Sequence, residues 1–173
     1  IYMAGNQIDA DYLTHYASSS AGWALVSGSN IFHSSDQNAY GVATWDPIGD
    51  KGVAIRGINN SQPRAHFFTF NSSTSQYEVS STILLTSSAD NHKAEAPRAV
   101  KLYTEDDVMI VSYSSNDLRY ASLQGLVRVY FGINSSGWGG EYFDITCPVD
   151  DYADNFGHSI DFDGSKLIIG SPG

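Results

Sequence analysis

Apolar and polar residues alternate along this chain with a period of two. Residues 127–131 read Val-Arg-Val-Tyr-Phe, and residues 65–70 read Ala-His-Phe-Phe-Thr-Phe. Neighbouring side chains on a strand point to opposite faces, so this period predicts strands rather than helices. Shorter apolar runs at 52–55, 108–111 and 167–169 predict further, more deeply buried strands. β-Branched and aromatic residues fill these segments, while Gly, Ser, Asn and Asp fill the gaps between them. No stretch carries a sustained 3.6-residue stripe. The best helical candidate, residues 90–97, is short and ends at Pro97, which predicts a loop with at most one turn.

The strands recur in a fixed order. Ile168 has counterparts at Ile110, Ile55 and Met3, at intervals of roughly 55 residues. A small residue follows each by two positions: Gly170, Ser112, Gly57 and Gly5. Each unit begins with a short strand (40–44, 96–100 and 156–160), followed by an acidic or Gly-bearing turn at 46–50, 105–107 and 163–164. An apolar strand comes next, then a polar loop and a third strand at 12–16, 65–70 and 126–131. A Ser-rich turn and an aromatic residue (Trp23, Tyr77 or Trp138) open the fourth strand. Four short strands per repeat are the content of one blade of a β-propeller. The expected fold is therefore all-β, built of four-stranded antiparallel blades. Residues 1–39 supply the later strands of a blade, 40–95 and 96–155 are whole units, and 156–173 supply early strands.

About three units do not close a ring, since propellers use roughly four to eight blades. Two arrangements resolve this. In the favoured one the chain is a slice of a longer propeller; in the other, its complementary end segments pair with those of a second copy and hide strand edges.

The last unit carries a specific resemblance. Phe156-Gly157, the Asp163-Gly164 turn and the run Leu167-Ile168-Ile169-Gly170-Ser171-Pro172 resemble the FG-GAP repeat of integrin-α-like propellers. The segments beginning at Gly125 and Gly137 also fit that family's third and fourth strands. Elsewhere the pattern departs: Ala96-Pro97 stands in place of Phe-Gly, and Ser112-Tyr113-Ser114 in place of Gly-Ala-Pro. The resemblance implies a non-catalytic adhesion or recognition module. It also implies aromatics packed between blades at the Trp23, Tyr77 and Trp138 positions, and calcium-binding loops. The nearest match to such a loop is Asp161 and Asp163, followed by Lys166. A hard cation needs about six to eight oxygens, so the same residues also read as an Asp-Gly hairpin turn. No other cofactor is expected.

Net charge is −10 with nine basic residues, which disfavours nucleic acid and anionic membrane surfaces as partners. No apolar run is long enough for a membrane-spanning helix. The single cysteine, Cys147, reads as a buried structural thiol. Asn59, Asn71 and Asn134 head N-glycosylation sequons, with ordinary Asn-Ser turn chemistry as the competing reading. Together with rich Ser, Asn, Gly and Tyr usage, they lean toward an extracellular or virion-surface protein.

Catalytic signals are weak. None of the five histidines stands at metal-ligand spacing, and no nucleophile elbow is present. Residues 34–45 bear a faint resemblance to the Asp-box of sialidase propellers, with different spacing and in one copy. Tyr113 and Tyr120 fall between the second and third strands of one unit, where an exposed loop would present them to a ligand. The leading expectation is a surface recognition module that binds protein or glycan through rim loops. An assembly unit of a filament, capsid or appendage is the second reading, and a glycosidase-like enzyme the third.

Overall fold

A computed structural model describes residues 2–7, 10–32, 39–46, 51–58, 61–85, 97–113, 125–134, 137–138, 141–148 and 155–172. The chain is all-β, and no helix occurs among the described residues. The 90–96 segment, Tyr120 and Asn59 lie outside them.

The strands form antiparallel meanders in chain order. The first sheet has three strands, β1 (Tyr2–Gln7), β2 (Ala10–Ser19) and β3 (Gly22–Phe32). The second has four, β4 (Ala39–Asp46), β5 (Lys51–Ile58), β6 (Ser61–Asn71) and β7 (Gln76–Leu84). The third begins with β8 (Pro97–Tyr103), β9 (Val108–Tyr113) and β10 (Leu126–Phe131). A small hairpin tip follows, β11 (Ile133–Asn134) with β12 (Gly137–Trp138), and the chain returns along β10 as β13 (Tyr142–Thr146). The last sheet is the hairpin β14 (Ser159–Phe162) and β15 (Leu167–Gly170).

One expectation shifts here. The sequence places the start of a fourth strand at Trp138, whereas Trp138 pairs with Ile133 in the tip and the sheet's own fourth strand starts at Tyr142. Gly132 explains the break. Its φ of 68° lies in the left-handed region, which bends the strand between Phe131 and Ile133. The ladder resumes where the Phe131 amide donates to the Glu141 carbonyl at 3.1 Å.

The sheets stack in series. β1 lies beside β4, β4 beside β8, and β8 beside β14; at the other edge β3 lies beside β7. Inner strands are therefore covered on both faces. All six residues of β9 are buried, as a central strand between two layers requires.

Among the described residues, three apolar clusters fill the layers. Val53, Ile55, Phe67, Ile83 and Leu85 of the second sheet meet Val100, Met109, Val111, Leu126 and Tyr130 of the third. On the opposite face of the second sheet, Phe68 and Tyr77 are buried together with Trp45, Phe70 and Ala54. Val108, Ile110 and Val127 of the third sheet pack against Phe156 and Ile160 of the last hairpin. Each fully buried Ile or Phe contributes about 1.5–3 kcal/mol through removal from water.

A bulge lets β7 serve two of these layers. Phe67 pairs with Ser81 and Phe68 with Val79, so Ser80 is the extra residue. Its hydroxyl donates to the Phe67 carbonyl at 3.2 Å. Side-chain parity reverses across it. Tyr77 faces the aromatic cluster, while Ile83 and Leu85 face the third sheet.

Candidate functional site

The residues singled out in the sequence do not converge on one place. Asp161 forms an ion pair with Lys101 of β8 at 2.8 Å, and the Lys101 ammonium holds its carboxyl below the usual carboxylate range. Asp163 caps its own turn. Its Oδ1 accepts from the Ser165 amide at 2.8 Å, the Lys166 amide at 2.7 Å and the Ser165 hydroxyl at 2.9 Å. These donors, the Ser165 amide first, lower its pKa. Gly164 completes the turn with φ of 95° and approaches the Tyr103 ring, which meets Phe162 edge-on at 5.7 Å. Both carboxylates are thus engaged in fastening the β14–β15 hairpin and docking it on β8. Among the described residues no cluster of three or more acidic, His or Cys side chains could hold a metal.

Tyr113 is not in an exposed loop, and this corrects the sequence expectation. β9 runs on to include it, paired with Pro97 on one side and Leu126 on the other, and its side chain is buried. Its hydroxyl lies 2.9 Å from that of Tyr130, which donates to the Leu85 carbonyl at 3.0 Å. The pair ties β9, β10 and the end of β7 together. Burial in this apolar layer raises the Tyr130 pKa to about 12.

Asn71 opens the turn between β6 and β7. Its Oδ1 accepts from the Ser73 amide at 2.9 Å and its amide donates to Glu78 at 2.8 Å. That is the Asx-turn chemistry the sequence suggested, on an exposed turn where a sequon is also accessible. Asn134 sits in β11, paired with Gly137. Cys147 forms no disulfide and is half-buried beside the third cluster. Tyr77 is buried in the aromatic layer of the second sheet, with Trp45 and Phe68 ring centres 5.8 and 5.7 Å away.

The polar constellation that the structure does assemble lies on β10 and β13 of the third sheet. Arg128 is 2% exposed on β10. Its guanidinium grips Asp144, the residue directly opposite on β13, through Nε–Oδ1 at 2.6 Å and Nη2–Oδ2 at 2.9 Å. The Tyr142 ring covers the guanidinium, with the ring centre 3.9 Å from the Arg128 Cζ. Tyr130 stands next to Tyr142 with ring centres 6.4 Å apart. One face of a hairpin thus carries Arg128, Tyr130, Tyr142 and Asp144 as a contiguous aromatic and charged strip. Tyr142 is its solvent-facing end.

A buried acid works elsewhere. Asp46, at the end of β4, accepts from the Thr104 amide at 2.7 Å and also from the Thr104 hydroxyl. It locks the second sheet to the β8–β9 turn of the third.

Sequence reasoning did not bring Arg128, Tyr142 and Asp144 together. The signal available was the opposite charge of Arg128 and Asp144 at positions that oppose each other once the hairpin register is known. No protein-family model matches the chain, and no curated protein matches it in sequence.

Proposed function

We propose that this chain is a segment of an FG-GAP-like, integrin-α-like β-propeller. It acts as a non-catalytic recognition module on an extracellular, cell or virion surface, and its rim holds a protein or glycan ligand. The observation that carries this reading is the serial stacking of antiparallel meanders, with the first strands β4, β8 and β14 side by side and the fourth strands β3 and β7 side by side. That is how blades follow one another around a propeller axis.

The junction of the last two sheets supports the FG-GAP likeness. Phe156 is buried against the preceding sheet, its backbone so close to Gly125 that a side chain there would overlap it. Gly157 has φ of 84° and fits over Ser112 and Val127. Phe and Gly are required at these two positions by different causes, burial for one and backbone conformation for the other.

Tyr142 is the residue we assign to ligand contact. Its ring is held flat by Arg128, and a fixed, part-exposed tyrosine supplies rigid area with a polar tip, suited to stacking on a sugar or a protein side chain. The test is binding of the labelled chain to a glycan array and to cultured cells, beside a Tyr142→Ala variant. Saturable binding that drops at least tenfold in the variant is expected. Binding no stronger than that of the unfolded chain, on both surfaces, would sink the reading.

A further inference from the structure

The β6–β7 turn carries a motif that ligand contact at Tyr142 does not use. Asn71-Ser72-Ser73 has the form of an N-glycosylation acceptor, and the structure shows how its amide is held. Asn71 ends β6, pairs with Gln76 and heads a loop in which residues 72–76 are all exposed. Its Oδ1 accepts from the Ser73 amide at 2.9 Å and from the Thr74 amide at 3.4 Å. Its Nδ2 donates to Glu78 Oε1 at 2.8 Å, and the same oxygen accepts from the Thr74 hydroxyl at 3.3 Å. Ser75, with φ of 55°, closes the turn through the left-handed region. Ser73 therefore serves the turn through its backbone N–H, which leaves its hydroxyl for the acceptor motif.

We propose that Asn71 is a site of N-linked glycosylation. The donor is a lipid-pyrophosphate-linked oligosaccharide. Asn71 Nδ2 forms a bond to the anomeric carbon of the first sugar, and the bond from that carbon to the pyrophosphate oxygen breaks. The lipid pyrophosphate leaves with the electron pair, and Nδ2 gives up one proton. A side-chain amide has two N–H groups. The one that reaches Glu78 stays, and the other is exchanged for the sugar carbon. Oδ1 remains a carbonyl oxygen, so it still accepts from Ser73 and Thr74. The turn that fixes Asn71 thus survives the modification, and turn chemistry and glycan attachment are compatible at this one residue. A glycan is bulky and solubilising, so the β6–β7 turn lies on the free rim of whatever assembly the chain enters. The proposal rests on the surface location inferred for the chain and is independent of Tyr142.

The experiment is expression of the 173-residue chain behind a cleavable secretion leader in cultured mammalian cells. The chain is recovered from the secretory membranes and the medium and mapped by peptide mass. Peptide N-glycosidase in heavy-oxygen water turns an occupied Asn into a labelled Asp, so each sequon is read separately. Label at Asn71 and an intact mass above 18.8 kDa are expected. Ser73→Ala removes the hydroxyl that the acceptor motif requires and keeps the N–H that Oδ1 accepts. It should lose the label at Asn71 and keep the urea midpoint of the parent, a split that a merely structural Asn71 would not give. Trimming the glycan to one N-acetylglucosamine should leave the Ser73 and Thr74 amides exchanging as slowly as in the unglycosylated chain made in bacteria. An unlabelled Asn71 overturns the proposal. So does label that persists in Ser73→Ala, or faster exchange of the two amides once the sugar is attached. Ligand binding by a chain with a bare Asn71 leaves the recognition reading standing alone; an occupied Asn71 on a chain that binds neither glycans nor cells removes that reading and keeps this one.

Discussion

Arg128 and Asp144 face each other across β10 and β13 and share two charge-assisted hydrogen bonds, at 2.6 and 2.9 Å. The guanidinium is almost sealed from water, whereas the Asp144 side chain keeps about a third of its surface in solvent. Replacing Asp144 with Ala strands a buried cation. A fully buried pair broken this way costs about 3–5 kcal/mol, and partial exposure of the acid brings the expectation to roughly 2–3 kcal/mol. Arg128→Lys keeps the charge but loses the fork and the flat face beneath Tyr142. Urea titrations should place both variants below the parent midpoint, with Asp144→Ala the lower; parent-like midpoints for both would show the pair to be idle.

Tyr130 predicts an alkaline limit. Tyr130 ionises near 10 in an unfolded chain and at about 12 here, because burial disfavours the phenolate. A raised folded pKa means stability that is complete below pH 10 and is lost as pH climbs from about 10 to about 12, on the order of 3 kcal/mol in all. Tyrosinate absorbance against pH should show a component that ionises near 12 and is lost in Tyr130→Phe. That variant also leaves the Leu85 carbonyl without its donor, at about 1–3 kcal/mol.

Gly52 predicts a steric limit. A methyl group there would overlap the Phe68 ring and crowd Trp45. Phe68 is fully buried and cannot step aside, so Gly52→Ala should cost about 1–3 kcal/mol by overpacking. Shortening the neighbour tests the cause. Gly52→Ala combined with Phe68→Leu should be less destabilised than the two single costs added together, and strict additivity in the double-mutant cycle would rule out the clash.

The β14–β15 turn predicts an acid response. Asp163 is held below its ordinary value by the Ser165 and Lys166 amides, so its capping is present above the unfolded-state pKa and disappears as pH falls through the lower folded value. Carboxyl resonances followed by NMR should show Asp163 titrating late on acidification. In Asp163→Ala the Ser165 and Lys166 amides should exchange faster, and unchanged exchange would mean the turn holds itself.

Much of this architecture was legible from alternation and turn chemistry. The strands at 65–70, 126–131 and 167–170, and the turns at Asn71 and Asp163, fall where period and residue type put them. What escaped depends on pairing register or on packing from both sides. Period two in β10 suggests that Arg128 turns outward, but the face it shares with Tyr130 is covered by the second sheet, so it is buried with a counter-ion. Tyr113 looked like a loop residue because the apolar run ends before it, yet β8 and β10 extend the ladder to its position. The Ser80 bulge leaves no mark in a Ser-rich stretch.

Stacking in series also sets how the molecule comes apart. Each sheet is held by the sheets on either side of it, so opening free energy spreads by nearest-neighbour coupling and not through one common core. The two ends of the series have a neighbour on one side alone among the described residues. Amide exchange should therefore be graded: fastest in the β14–β15 hairpin and slowest in β5 and β9, where strands are paired at both edges and covered on both faces. Denaturant would loosen the stack from its outermost described sheets inward, and any partner that seats on such a sheet would slow exchange several strands away from the surface it touches.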